Sequence, residues 1–489
     1  MSTPITMKID RQELPHPRST TPAATSSPGT LPDSAASTAR DLEEKLLGYS
    51  MANELAGAFY DEEYSVQMLD LGMPKEASRL RLVMGWARTV VDVLAERLEP
   101  LAWAHPDIDR DDAAELWEDS GAASAIPQAI IDHLVYGMGF LSATAGDVAA
   151  GEPRVLVRAH SATSTTADVC PRTGYVRSAL TLHDEKTATL WLPTAIVEMH
   201  RSAKEKTWEV RHVAENRLGA VPMVAIPNAP RAGRPGGRSE ITPAIRSALA
   251  SATRALIAMD VNREFFAIPH RYLIGLSGNL KNPDGSLLET WKLAARAMLK
   301  IPYPEDGGDI QVGEFSQVRA GPFLEQMEGL AKITASEAAV PSMYLGVETA
   351  NPTSADAARM AESRLVRRSR ARITAMSPML NRLGLFALAI DGGTALADTP
   401  RPTTAFADPA TAAFSADADA WAKLDGAGLF VTGNPVIWRR MGFTEAEIAD
   451  LTRHRDELAP LMRAKGLDAH LDRMADAYDP ADDDLQAAP

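Results

Sequence analysis

The chain has 489 residues, 45% of them hydrophobic and 6% aromatic, and a formal net charge of −15. That length can hold about two to four domains with real cores. The acidic balance excludes a simple non-specific DNA binder, whose affinity for phosphates comes from Lys and Arg.

Cys170 is the only cysteine, which excludes an intramolecular disulfide and a cysteine-built zinc site and fits synthesis in a reducing cytosol. No signal-peptide h-region opens the sequence. The longest apolar stretches, such as Leu383–Ile390, fall short of the roughly 20 residues that span a bilayer. Residues 1–39 are rich in Ser, Thr, Pro and Ala and are expected to form a disordered tail, because they bury too little apolar area. Residues 40–145 read as helices. In LRLVMGWARTVVDVLAERL, the residues Leu82, Val83, Trp86, Val90, Val91, Val93 and Leu94 share one broad face.

Residues 150–228 change character to short β-branched runs such as PRVLVRAH, GYVRSALTLH, TATLWLP and TWEVRHV, expected to form an antiparallel sheet. NAPRAGRPGGRSE (228–240) reads as a flexible hinge. Its glycine spacing and its Arg238-Ser239 pair do not make a phosphate loop, which needs a lysine before the Ser/Thr. Helix is expected again from Ile241 to Phe266, with Ile245, Leu249, Ala252, Leu256 and Met259 on one stripe. Residues 267–320 are mixed, with a strand at RYLIGL and a short helix at LLETWKLAARAML. A further helix covers about 322–339.

The segment VPSMYLGVETANPTSADAARMAESRLVRRSRARITAMSPML carries the most information. A helix ends at Val340-Pro341, a polar loop follows, and a long helix starts near Ser354 and ends at Gly392-Gly393. Arg359, Arg364, Arg367, Arg368, Arg370 and Arg372 crowd into fourteen residues of that helix, beside an apolar stripe of Leu365, Ile373, Met376, Leu380, Leu383, Ala387 and Ile390. Such a face can simply be solvated. In so acidic a chain, the arginines read better as facing a neighbouring subunit or phosphates, which Arg grips bidentately. Pro378 is expected to kink the helix.

No catalytic constellation emerges. Asp107, Asp109, Asp111 and Glu118 match four positions of a calcium loop, but Asp112 replaces its glycine. Acids opening a helix explain the cluster better, so no metal and no cofactor is expected. His133, His160, His183, His200, His212 and His270 lie far apart or in strands, without H-E-x-x-H or G-x-S-x-G context.

The entry segment YSVQMLDLG…RLVMGWARTVVDVLAERL, VPMVAIPNAP with GRSEI, EFFAIPHRYLIG, VPSMYLG with NPTSADAARMAESRLVRR, and AWAKLDGAGLF…WRRMGFTEAEI together resemble the portal proteins of tailed bacteriophages, in the Gp6-like branch. The likeness covers most of residues 45–455, and the order and spacing of the pieces are specific. The resemblance implies an α+β, multidomain portal fold that forms a ring, usually of twelve subunits. It implies a wing at 40–237, a first stem helix at 238–266, a clip at 267–320 and a second stem helix at 321–341. A tunnel loop would follow at 342–353, then the long kinked wing helix at 354–392, a helical crown at 393–475 and an acidic tail at 476–489. Tyr344, Gly346, Glu348, Thr349 and Asn351 would face DNA in the channel. Arg364, Arg367, Arg368, Arg370 and Arg372 would face a subunit interface or phosphates.

The implied role is a non-enzymatic conduit for genome packaging and ejection at the capsid vertex of the virion, synthesised in the host cytoplasm. Its implied partners are further copies of itself, double-stranded DNA without sequence specificity, the terminase large subunit, head-completion or adaptor proteins, and major capsid and scaffolding proteins, with no membrane. Two other readings are a non-ring capsid-associated adaptor or scaffold, and a metal-dependent nuclease using the acids at 107–118.

Overall fold

The structure is a computed structural model of all 489 residues. It describes residues 33–66, 81–106, 108, 110–202, 207–266, 271–274, 298–301, 311–314, 319–347, 355–410, 438, 448 and 451–457. The chain divides into two compact units, Met1–Pro409 and Ala410–Pro489.

The first unit mixes helix and sheet in layers. Helix α1 (Asp33–Tyr60) begins inside the stretch expected to be a disordered tail. Its small residues explain the difference, since Ala35 and Ala39 are buried with Leu42 against a sheet. That sheet is a five-stranded antiparallel meander of β4 (Thr165–Val169), β5 (Val176–Leu182), β6 (Thr187–Trp191), β7 (Ala195–Arg201) and β8 (Trp208–Glu215). Alternation sorts its side chains. Leu180, Ala188 and Leu190 turn toward α1, whereas Ala179 and Trp191 turn the other way. Polar clamps hold α1 in place. Glu43 pairs with Arg201 and accepts from Trp208 Nε1 at 2.9 Å, and Asn53 donates to the Ala162 carbonyl at 2.8 Å.

Behind the meander lies a second, three-stranded sheet in which β2 (Met138–Ala145) pairs antiparallel with both β3 (Val155–His160) and β9 (Met223–Pro227). The expected single sheet is therefore two, and β2 comes from a stretch expected to be helical. Phe140, Met223 and Ala225 pack toward the meander, while Leu141, Ala143, Val224 and Ile226 enter the main core. Helices cover that inner face: α2 (Trp86–Ala95), α4 (Ala122–Tyr136), α5 (Pro243–Phe266), α6 (Gly321–Ala338) and α7 (Ala355–Gly392) all contribute to the core. Of the expected α2 face, Trp86, Val90, Val91, Val93 and Leu94 are buried, whereas Leu82 and Val83 precede the helix and are half-buried.

Acidic Asp111 and Asp112 open α3 (Arg110–Asp119). Asp107 and Asp109 lie outside the described residues. Among the described residues, no group of three or more His, Cys, Asp or Glu could hold a metal. Strand β1 (Pro100–Ala104) pairs with β13 (Thr403–Phe406), the last element of this unit.

Helices α5 and α6 pack along each other. Between them, β10 (Arg271–Ile274) pairs in parallel with β11 (Met298–Ile301) and antiparallel with β12 (Gln311–Glu314). Met298, expected to end a short helix, therefore opens a strand; the rest of that helix lies outside the described residues. Helix α7 runs through Pro378 without interruption. It is long and apolar enough over Arg359–Gly392 to cross a bilayer by composition, which the short run Leu383–Ile390 does not betray. Its apolar face is instead core, with Leu365, Met376, Leu380, Leu383 and Phe386 fully buried. In the second unit, Leu451–Glu457 is helical and Thr452 Oγ1 donates to the Ile448 carbonyl at 2.7 Å. The capping box Thr444/Glu447 lies outside the described residues.

Two core histidines are held neutral. Burial lowers His133 to about 4, and His133 Nδ1 donates to the Ile226 carbonyl at 2.9 Å. Burial also lowers His160 to about 4, with Nε2 at 2.8 Å from Ser142 Oγ. The unfolded chain takes up these protons near pH 6.5, whereas the fold refuses them until near 4. Stability present above 6.5 is therefore lost as pH falls, by about 2 kcal/mol per histidine at pH 5. Asp132, raised to about 6 by burial, works in the opposite direction. Urea unfolding of the unassembled subunit should give a lower midpoint at pH 5 than at pH 7.5, and His160→Gln should flatten that difference. Equal midpoints at the two pH values would contradict the assignment.

Candidate functional site

Three helices converge on one carboxylate. Glu240 stands just before α5, its side chain 2% exposed, and it takes both guanidinium groups that α7 turns inward. Arg372 donates to Glu240 Oε1 from Nε at 3.0 Å and from Nη2 at 2.7 Å, and Arg368 pairs with Oε2. Asn228 Nδ2 adds a fourth donor at 3.0 Å. Burial opposes ionisation of Glu240, but Arg368 and Arg372 prevail and hold its carboxyl below the ordinary carboxylate range. The stabilisation this gives is present above that range and fades as pH falls through the lowered value.

The same arginines close the end of α6. The last carbonyls of a helix have no partner within it and favour positive charge. Arg364 Nη1 donates to the Ser336 carbonyl at 3.1 Å, and Arg368 Nη1 reaches the Ala338 carbonyl. Arg364, Arg368 and Arg372 are spaced four apart, so they form one stripe along α7. This revises the expected role of the basic helix: Arg368 and Arg372 serve the interior of their own subunit. Arg370 pairs with Asp408 at 3.1 Å on the surface. Arg367 is exposed, with no side-chain partner among the described residues.

The stretch read as a flexible hinge is fastened at its base. The Arg238 N–H donates to the Asn228 carbonyl at 2.9 Å, and the Asn228 side chain returns a bond from Nδ2 to the Arg238 carbonyl at 2.8 Å. Gly237 has φ +72°, and a Cβ there would come within 2.4 Å of the Gly137 carbonyl oxygen. Only glycine fits.

The connection from α6 to α7 begins from a fixed root. Ala339 ends α6 in the left-handed region at φ +57°, and a 3₁₀ turn spans Ser342–Leu345. Val340, Leu345 and Val347 are buried. Tyr344 donates to Glu362 Oε1 of α7 at 2.8 Å, and Arg97, just past α2, lies 3.2 Å from the same carboxylate. Partial burial, and next the Glu362 carboxylate, raise the Tyr344 hydroxyl above its usual range. Gly346 closes the turn at φ +78°, where any side chain would be strained. Tyr344 and Gly346 thus build the root of the loop, while Glu348, Thr349 and Asn351 lie outside the described residues. Sequence reasoning missed Glu240, Asn228, Arg97 and Glu362. The four-residue spacing of Arg364, Arg368 and Arg372 was the signal available for the first of these.

Replacing Glu240 with Gln leaves two guanidinium groups buried without their counter-charge, which should cost about 3–5 kcal/mol. Arg367→Ala, on the exposed side of the same helix, should stay within about 0.5 kcal/mol of wild type. Guanidinium unfolding of the unassembled subunit measures both, and equal effects would contradict this account.

A family model described as "Phage portal protein, SPP1 Gp6-like" matches residues 54–458. The portal protein of Mycobacterium phage L5 is 28% identical over 417 residues, covering 83% of this chain and 85% of its own length. That of Mycobacterium phage D29 is 29% identical over 417 residues, with the same coverage. Among solved structures, a chain from the neck of a native gene transfer agent particle with C12 symmetry aligns at TM-score 0.40 and 16% identity, over 76% of this chain and 95% of that one. A chain from the neck of the empty particle with C6 symmetry aligns at TM-score 0.43 and 16% identity, over 86% and 96%. The match of the family model across most of its length makes this chain a member of the SPP1 Gp6-like phage portal family.

Proposed function

We propose that copies of this chain close into a ring, of about twelve by family resemblance, at the capsid vertex of a virion. Double-stranded DNA passes through that ring during packaging and ejection, and the chain performs no enzymatic step of its own. Helices α5 and α6 are the stem, β10–β12 belong to the clip, and the two sheets with α1–α4 and α7 are the wing. The clip and its surroundings dock the terminase large subunit and head-completion proteins, and the wing meets capsid and scaffolding proteins.

The observation that carries this reading is the fixed root of the connection between α6 and α7. Buried Val340, Leu345 and Val347 and the Tyr344–Glu362 bond hold one side. The Arg364 and Arg368 contacts with the end of α6 fix α7 on the other. A short polar connection on rigid supports suits weak contact with a moving duplex. Glu348, Thr349 and Asn351 in it would touch DNA without gripping it. The net charge of −15 per copy favours sliding, because a wall that repels phosphates does not hold them.

Placing cations at this point should convert sliding into binding. The variant Glu348→Lys with Thr349→Lys should assemble normally yet package DNA at least several-fold more slowly, with partial relief at higher salt, since phosphate contacts weaken steeply with salt. Packaging efficiency in an in vitro head-filling assay checks this. Unchanged packaging by normally assembled rings would contradict the placement of the loop at the DNA.

A further inference from the structure

We propose that neighbouring copies in the ring meet through the arginine loop Arg231–Arg238 of one copy and the acidic outer face of α3 of the next. This rests on the ring reading above and adds the surfaces that would close it.

The loop between β9 and α5 is preorganised. Arg231 and Arg234 exchange backbone hydrogen bonds of 3.2 and 2.8 Å, and Asn228 pins its base at Arg238. Arg231, Arg234 and Arg238 are all exposed, and none has a side-chain partner among the described residues. Three guanidinium groups thus leave one pinned stretch of backbone, in a chain whose net charge is −15. Every cation in the loop is Arg, the side chain whose planar fork matches carboxylates two bonds at a time.

The complementary surface lies on the same chain but out of reach. Glu115, Glu118 and Asp119 on α3 are exposed and likewise lack side-chain partners among the described residues. Helix α4 separates the two charged surfaces. It starts right after Gly121, next to the acids, and ends at Gly137, whose Cβ position lies 2.6 Å from the Arg238 backbone. At ~1.5 Å per residue, its fifteen residues put about 20 Å between the two ends of α4 beside which the charged surfaces sit. That exceeds the screening length of about 8 Å at physiological salt, so the surfaces cannot neutralise each other within one subunit.

A two-fold dimer would set the arginine loop against itself. A ring of more than two copies uses a head-to-tail contact, which needs two different complementary surfaces on every copy. This chain carries such a pair. Nucleic acid could also attract the loop, but it would leave the α3 acids without a role.

Charge reversal in the full-length chain tests the interface. R231E/R234E/R238E and E115K/E118K/D119K should each lower the ring fraction at least tenfold in mass photometry, with wild-type thermal unfolding. Mixed one to one, the two defective variants should form rings containing both proteins, because reversed loops then meet reversed helices. A correctly folded variant that assembles alone as well as wild type would overturn the interface, and so would a mixture that stays unassembled. Normal rings of the loop variant with altered retention of packaged DNA would also overturn it, assigning the loop to nucleic acid. Each of these leaves the ring itself standing; wild-type chain that never multimerises overturns both.

Discussion

The burial of Glu240 between Arg368 and Arg372 is the constraint on which the arrangement of α5, α6 and α7 depends. A lone buried charge is expensive, and a pair repays that expense only with good geometry and satisfied hydrogen bonds. Here the carboxylate receives four donors, three from guanidinium groups and one from Asn228. Breaking the set strands charges in a core where α4 and β9 also pack, so the three helices are held in one register. Apolar residues of similar size could be as stable, but they would not specify which turn of α7 faces the start of α5.

Because Arg364 and Arg368 also satisfy the end of α6, one stripe of α7 joins the beginning of α5 to the end of α6. The α6–α7 connection therefore leaves from positions set by buried charge and buried Val340, Leu345 and Val347. In the proposed ring, such a foundation would let the connection meet a moving polymer without transmitting slack into the subunit. It also alters the electrostatic picture. Arg364, Arg368 and Arg372 are engaged inside the subunit and Arg370 with Asp408, so the accessible surface of α7 is less basic than its sequence, although Arg367 stays exposed.

Much of the helical layout was legible in the sequence. Of the expected α5 stripe, Ile245, Leu249 and Ala252 are buried while Leu256 and Met259 are half-buried, and of the α7 stripe Leu365, Met376, Leu380, Leu383 and Ala387 are core while Ile373 and Ile390 are half-buried. Strand β2 was not legible, because both its faces are covered and its run MGFLSATA shows no alternation. It also follows α4 with only Gly137 between. The start of α1 was hidden by its composition: Ala35 and Ala39 look like tail until a sheet lies against them. The Glu240 cluster was invisible for a different reason. Its partners are 128 and 132 residues away, and local reading sees only an acid before a helix and a basic helix elsewhere. Tyr344 was expected to face DNA, and its hydroxyl contact with Glu362 depends on a turn that only the fold reveals.

A reconstruction of the purified full-length protein by electron cryomicroscopy tests the central claim most directly. The account predicts a closed annulus in which the connection between α6 and α7 forms the narrowest part of the central opening. A particle that stays monomeric, or an annulus whose opening is lined by another segment while 348–353 lies on the outer rim, would contradict it.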